Sequence, residues 1–245
     1  SELNEIDQYM ILTVGDLQTQ VLKDYENFNF HSATAKITNF CSEDLGAFYL
    51  DIIKDRLYIT PQKSRMRRSA QTSLWHITHT LIKLIYPLLP FTAYESWEVF
   101  LEQTNCKNSS PLFSQKWTKL PNIEKKEILI KNWIEIRKIR SRIVKSIEEK
   151  REKGIIGSSL EAAVKIKSGH TMNQTLEYFF DDLKYIFIVS DVKLELDDAF
   201  LGNSFQTEVS KINYKKCARC WHRNSTVGNS NIHASLCSRC IEFIS

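Results

Sequence analysis

Apolar residues recur at three- and four-residue steps along the first part of the chain, the period of a helix with one buried stripe. Residues 2–28 place Leu3, Ile6, Met10, Val14, Leu17 and Val21 on such a stripe, and residues 31–58 do the same with Ile37, Cys41, Leu45, Phe48 and Ile52. Residues 64–86 carry Leu74, Ile77, Leu81, Leu84 and Ile85. Pro87 and Pro90 then interrupt the chain, because proline lacks an N–H donor and clashes with the preceding turn. Thr92-Ala93-Tyr94-Glu95 has the spacing of a capping box and predicts a helix restarting there and running to Glu102. Residues 105–122, rich in Asn, Ser and Pro, read as a surface loop pinned by Trp117. A fourth long helix is expected over 123–152, with Leu129, Trp133, Ile136, Ile143 and Ile147 on one face and Lys131, Lys138, Arg142 and Lys145 on another. Each long helix must bury its stripe against a neighbour, so the fold class expected is mainly α, an antiparallel helical bundle.

The pattern changes at Gly154. Ala163-Val164-Lys165-Ile166-Lys167 alternates like a half-buried strand. A short helix around 176–183 and strands at 185–189 and 192–196 complete a small α/β unit. The expected organisation is therefore a bundle over 1–153, an α/β junction domain over 154–204 and a tail module over 205–245.

Composition adds little until charge is resolved along the chain. The 42% hydrophobic and 25% charged content is that of a soluble globular protein. The longest apolar run, Leu84 to Phe91, is too short for a bilayer and holds two prolines. No leader opens the sequence, so a cytoplasmic address without membrane association is expected. Net charge is only +4, yet residues 61–83 carry five basic side chains and no acidic one. Residues 121–153 carry eleven basic against six acidic, and residues 205–245 six against two. Such blocks suit a polyanion, of which nucleic acid is the commonest, although solvated helix faces give the same pattern.

Four of the six cysteines lie in the last 29 residues, as Cys217-x-x-Cys220, sixteen residues, then Cys237-x-x-Cys240. Two such turns supply the four thiolates that zinc prefers. Lys215, Lys216, Arg219 and Arg239 flank the turns and favour the thiolate form. Disulfides would need an oxidising compartment; a mononuclear iron site shares the ligand set. The expectation is one structural zinc held by Cys217, Cys220, Cys237 and Cys240. His222 and His233 stay outside a shell already filled, and no open position remains for catalysis. The sixteen residues between the turns hold only Trp221, Val227, Ile232, Ala234 and Leu236 as apolar side chains, too few for a core of their own, so metal binding and folding should be coupled.

Several stretches then resemble one family. Ala47-Phe48-Tyr49-Leu50-Asp51-Ile52-Ile53-Lys54-Asp55-Arg56-Leu57-Tyr58 is similar to the anticodon-binding signature of bacterial-type isoleucyl-tRNA synthetases. So are Arg67-Arg68-Ser69-Ala70-Gln71-Thr72 with Leu74, Pro87-Leu88-Leu89-Pro90-Phe91-Thr92-Ala93 with Trp97, and Ile156-Gly157-Ser158-Ser159-Leu160-Glu161-Ala162. Lys216-Cys217-Ala218-Arg219-Cys220-Trp221-His222 with Cys237-Ser238-Arg239-Cys240 resembles the zinc tail of the same family. The matches fall in the family's order and cover nearly the whole chain. One departure is local: Tyr94-Glu95 keeps only the second of two acidic residues usual after F-T-A. Neither H-I-G-H nor K-M-S-K-S occurs, and there is no glycine-rich phosphate loop. The resemblance thus implies a part of a class I, ATP-using isoleucine-tRNA ligase of protein biosynthesis, with the catalytic and editing domains elsewhere in the parent chain. It implies isoleucine tRNA as partner, bound by a monomer, and no catalysis by this chain alone.

Single-stranded anticodon bases are read by stacking on aromatic rings and Arg planes. Trp221, next to a zinc ligand, is either such a platform or packing beneath the sulfurs. Arg219, Arg223 and Arg239 are candidates for RNA contact or for hydrogen bonding around the metal. Lys54 and Arg56 end a helix where cations suit the dipole, and the matched motif implies that they also face RNA. Arg65, Arg67 and Arg68 begin a helix, where the dipole disfavours them, so an external anion is the sharper reading. His76 and His79, without a third ligand, are expected in packing. Asp181-Asp182 and Asp197-Asp198 are expected at solvated loop or helix ends. No nucleophile, base and orienter set is present. An independent zinc-ribbon nucleic-acid-binding protein and a protein-interaction module of a synthetase assembly remain open alternatives.

Overall fold

A computed structural model describes residues 3–104 and 110–244, so Cys106 and the first part of the expected loop lie outside the described residues. The chain divides into two compact units, one of residues 1–51 with 62–129, the other of 52–61 with 130–245.

The first unit is helical. α1 (Glu5–Glu26), α2 (Phe30–Asn39), α4 (Arg65–Ile85) and α5 (Pro90–Gln103) carry it. Between α2 and α3 (Asp51–Tyr58) the helix continues as a π-helical stretch, Phe40–Leu50. Asp7 near the start of α1 is fully buried. It accepts hydrogen bonds from the hydroxyls of Tyr49, at 2.7 Å, and of Ser69. Ser73 Oγ donates to the Asp7 carbonyl at 3.3 Å. At the far end Tyr25 donates to the Leu84 carbonyl at 2.6 Å. α1 and α4 therefore run parallel, as first and third members of an up-and-down arrangement must.

α5 does not start on the expected capping box. Leu89 is its N-cap, Pro90 occupies the first turn and Thr92 lies inside the helix. Proline is preferred there because its missing N–H would have had no partner. Nor does Trp117 pin the loop, for its side chain is exposed. The buried Leu112 and Thr118 do so instead. Thr118 exchanges hydrogen bonds with the Gln18 carboxamide at 3.0 and 3.1 Å, and Lys83 Nζ donates to the Lys116 carbonyl at 2.8 Å.

The second unit is built on a three-stranded sheet of order β2-β1-β3: β1 (Ala162–Ser168), β2 (Asp191–Leu196) and β3 (Phe205–Lys211). β1 and β2 are parallel, joined through α7 (His170–Tyr178) and α8 (Phe180–Ile186); β3 pairs antiparallel to β1. The sheet thus takes in residues that the sequence pattern grouped with the tail. Residues 185–189, expected as a strand, instead end α8. Val189 N donates to the Lys184 carbonyl at 2.9 Å while Ile188 adopts φ 56°, a left-handed helix closure. α6 (Lys126–Glu152) buries Ile136, Ile139, Ile143 and Ile147. Trp133 meets Phe179 edge-on at 4.9 Å, and the Arg140 Nε donates to the Ile186 carbonyl at 2.9 Å. Gly169 is required where it stands: a Cβ there would lie 2.0 Å from the Phe200 carbonyl oxygen.

The Asp7 network makes a direct expectation. Asp7→Ala strands two buried hydroxyls at the start of α1 and α4, and should destabilise the first unit by about 3 kcal/mol, the scale for breaking a buried hydrogen-bonded carboxylate site. Urea unfolding followed by circular dichroism measures it; a change below about 1 kcal/mol would mean that the network is not what pairs the two helices.

Candidate metal centre and nucleic-acid interface

Two backbone turns bring the thiols together. Trp221 N donates to the Cys217 carbonyl at 3.0 Å and Cys217 N to the His222 carbonyl at 2.9 Å, closing the first turn. Cys237 is the N-cap of α9 (Ser238–Glu242), and its N–H points at Cys217 Sγ at 3.4 Å. All four Sγ atoms lie within 4.8 Å of one another and all four residues are buried. Cys220 and Cys237 Sγ stand 3.8 Å apart. A tetrahedral shell with Zn–S bonds of about 2.3 Å requires sulfurs about 3.8 Å apart, so the donor set fits zinc without rearrangement of the chain. No pair among them forms a disulfide. Burial raises the thiols of Cys220 and Cys240, the latter to about 11. Burial also opposes the Cys217 thiolate, but N–H groups of Cys220, Cys237 and Arg219 outweigh it and bring this thiol down to about 6. Val227, Ile59 and Leu236 pack around the sulfurs.

The basic residues around the centre divide into two kinds. Arg239 forms a two-pronged pair with Asp55, Nη1–Oδ1 2.9 Å and Nη2–Oδ2 2.8 Å, donates to the Tyr185 hydroxyl at 2.6 Å, and lies 5.1 Å from the centre of the Tyr185 ring. His222 Nε2 approaches Asp55 at 4.0 Å, but burial holds His222 down to about 4, so Arg239 is the charge partner of Asp55 at neutral pH. Arg223 pairs with Glu161 at 2.5 Å and donates to the Tyr214 carbonyl at 3.2 Å. The Gly157 N–H, followed by Arg223, holds the Glu161 carboxyl below its ordinary range. Asp55, Glu161 and Tyr185 were not singled out from the sequence, although the first two stand within stretches that carry the resemblance. Arg219 is half-buried, with one guanidinium nitrogen enclosed and unpaired among the described residues.

Trp221 is of the other kind. Its indole is 60% exposed, its backbone holds φ 67°, and Lys216 Nζ lies 4.9 Å from the ring centroid. The ring does not lie under the sulfurs; Val227, Ile59 and Leu236 occupy that place. Elsewhere in this unit Lys54 is exposed, whereas Arg56 is only 7% exposed and so does not present its guanidinium to a surface ligand. Arg142 on α6 lies over the Phe205 ring at 4.6 Å, and Lys138 pairs with Glu135 at 2.8 Å. In the first unit Arg65 and Arg68 are exposed and Arg67 half-buried on the opening turn of α4, which Ser64 caps by accepting from Arg67 N. Arg68 Nη1 donates to Gln71 at 3.0 Å.

Residues 7–166, well over half of the chain, match the family described as the anticodon-binding domain of tRNA ligase. The chain belongs to that family. Residues 215–242 match a second description, the zinc finger found in FPG and IleRS. Among curated relatives, the isoleucine–tRNA ligase of Paraburkholderia phymatum is 40% identical over 97% of this chain and 24% of its own length. Those of Cupriavidus metallidurans and Bordetella pertussis are 38% and 39% identical, each over 98% of this chain and 25% of their own length. The chain thus spans about a quarter of the length of the curated relatives it matches.

The zinc-finger match and the four clustered thiols fit one structural zinc in the tail of this chain. With every ligand position taken by cysteine, the metal organises the fold of the tail and leaves no site for substrate. His76 and His79, in the first unit, are in packing, as expected. His79 stacks on Trp75, ring centroids 4.9 Å apart and planes 11° from parallel, and shares a hydrogen bond with Thr118 at 3.1 Å. Asp181 and Asp182 fall in the first turn of α8, where carboxylates complement the helix dipole. Asp197 caps its own turn through Ala199 N at 3.0 Å, and Asp198 stays largely exposed beside His170.

Two outcomes follow for measurement. Cys237→Ser should release the zinc and unfold the tail while helical circular dichroism is largely kept; elemental analysis reads the metal, and a global loss of helix would contradict this separation. His79, held by burial to about 4 against an ordinary 6.5, gives the second. Between those values the unfolded chain binds a proton that the folded chain refuses, so stability should fall as pH drops from 6.5 towards 4. His79→Phe, which keeps the stack, should flatten that part of a urea-midpoint-versus-pH curve; an unchanged slope would assign the dependence to other groups.

Proposed function

We propose that this chain is the tRNA-recognition part of an isoleucine–tRNA ligase and that it binds the anticodon arm of isoleucine tRNA. The observation that carries the reading is the identity of about 40% to isoleucine–tRNA ligases, spread over nearly the whole chain. In the parent enzyme, catalytic and editing domains outside this chain would attach isoleucine to its tRNA at the expense of ATP. The chain itself holds neither H-I-G-H nor K-M-S-K-S and is proposed to be non-catalytic alone. The parent is proposed to act as a cytoplasmic monomer; among the described residues no helix is long and apolar enough to cross a membrane. Residues 1–153, 154–204 and 205–245 are proposed as the anticodon-binding, junction and zinc modules, with β3 of the last completing the junction sheet.

Geometry narrows which residues touch RNA. Trp221 offers an open indole face on a turn fixed by two zinc ligands, flanked by Lys216, which suits stacking of one unpaired base. Arg65, Arg67 and Arg68, with Lys54, supply positive charge for phosphates. Arg219 is kept as a nearby donor. Arg223 and Arg239 spend their guanidinium groups on Glu161 and Asp55, and Arg56 is buried, so these three support the interface rather than form it.

Titrating the zinc-loaded chain with isoleucine tRNA and with an anticodon-swapped version tests the reading. The native anticodon should bind more tightly, and affinity should fall with salt by about 0.7 in log–log slope per phosphate neutralised on a single strand. Arg68→Ala should weaken binding to both RNAs and flatten the slope. Trp221→Ala should cost about 1–3 kcal/mol and leave the slope unchanged. Equal affinity for the two anticodons would favour a general zinc-ribbon binder, and weak salt-independent binding a protein-interaction module. If Trp221→Ala binds as the native chain does with zinc retained, the indole is not a platform.

A further inference from the structure

The zinc turns alone do not fix where Trp221 points. The metal ties Cys217–Cys220 to Cys237–Cys240, but a module closed on itself still has to be seated. Within its unit the seat is built by α3 and α8. Ile59, just past α3, packs on the cysteine cluster, and Asp55 of α3 receives both prongs of Arg239. Tyr185 of α8, half-buried, accepts a hydrogen bond from Arg239 at 2.6 Å and carries the His222 ring edge-on at 5.7 Å. Asp55 and Arg239 side chains are only 14% and 25% exposed, so solvent screens the pair weakly. His222 directly follows Trp221, and Arg239 directly precedes the ligand Cys240.

We propose that Asp55 is a positioning residue for RNA recognition: it fixes the zinc module through Arg239 and thereby sets the direction of the Trp221 indole without touching RNA. This rests on the reading of Trp221 as a stacking platform. A two-pronged Arg–carboxylate pair constrains orientation as well as distance, which a single point contact does not. The Tyr185 ring under the same guanidinium and beside His222 restricts the remaining rotation. Loss of the carboxylate would leave zinc bound and the turn intact, but the platform free to tilt.

The experiment is a double-mutant cycle on the full zinc-loaded chain, with isoleucine tRNA as probe. Asp55→Asn should keep one zinc by elemental analysis, keep its helical circular dichroism, and bind roughly tenfold more weakly, with the salt slope unchanged because no phosphate contact is lost. Arg239→Lys, which keeps the charge but not the fork, should behave alike and guards against a folding defect peculiar to position 55. In a Trp221→Ala background, Asp55→Asn should have almost no further effect, since a residue acting through the indole has nothing left to place. Native affinity in Asp55→Asn, loss of zinc in it, or additive losses with Trp221→Ala would each overturn the proposal. If the unsubstituted chain does not bind the tRNA, the functional reading itself falls and takes the positioning role with it. If it binds and only Asp55→Asn is silent, the positioning role falls alone.

Discussion

A segment with too few apolar side chains to collapse is held folded by the convergence of four sulfurs, and the surface of the tail is arranged around that point. The sixteen residues between the C-x-x-C turns could not bury enough surface to offset their own ordering. With the thiols within 4.8 Å, two turns closed by backbone hydrogen bonds become one rigid corner. Rigidity at that corner is what allows a side chain as large as Trp221 to stand in solvent at a defined place. A core of Val227, Ile59 and Leu236 covers the metal's surroundings, so the indole is not needed there.

Charge is sorted by the same logic. Arginines near the centre look interchangeable in a composition count, yet the fold treats them differently. Arg239 and Arg223 are turned inward onto Asp55 and Glu161, where planar forks match carboxylates and partial burial keeps the attraction from being screened. Arg65 and Arg68 stay outside on the opening turn of α4, against the preference of the helix dipole. The arginines that serve the fold are thus told apart by the acid each one grips, and not by their position along the chain.

The metal ligands and the long helices were legible in the sequence because both are local signals: a spacing of three for the thiols and a period near 3.6 for the helices. The family was legible from stretches such as Ala47 to Tyr58. What the pattern missed was set at a distance or by a change of winding. Asp55 and Arg239 stand 184 positions apart, so no local rule pairs them. Phe48 is buried as its stripe predicts but Cys41 is exposed, because the chain winds as a π-helix from Phe40 to Leu50 and the wider turn brings Phe40 and Tyr49 inside instead. Residues 185–189 have strand-like composition, but a left-handed Ile188 closes α8 there instead. Thr92 and Glu95 have capping-box spacing one turn too late, since Pro90 had already opened the helix. The role of Trp221 was undecided by sequence, because an indole beside a metal turn is equally at home inside or outside; only its exposure separates the two.

The backbone of Trp221 has a further consequence. At φ 67° it holds an aromatic residue in a region that glycine occupies freely and other residues enter at a cost on the order of 1 kcal/mol. Any search for a sturdier tail, by consensus or by heat challenge, would therefore be drawn towards glycine at this position and would be rewarded with a more relaxed turn that has lost its ring. On the stacking role proposed for Trp221, robustness and recognition are set against each other at one residue, and a version of this chain optimised for shelf life would be the one least able to hold a base.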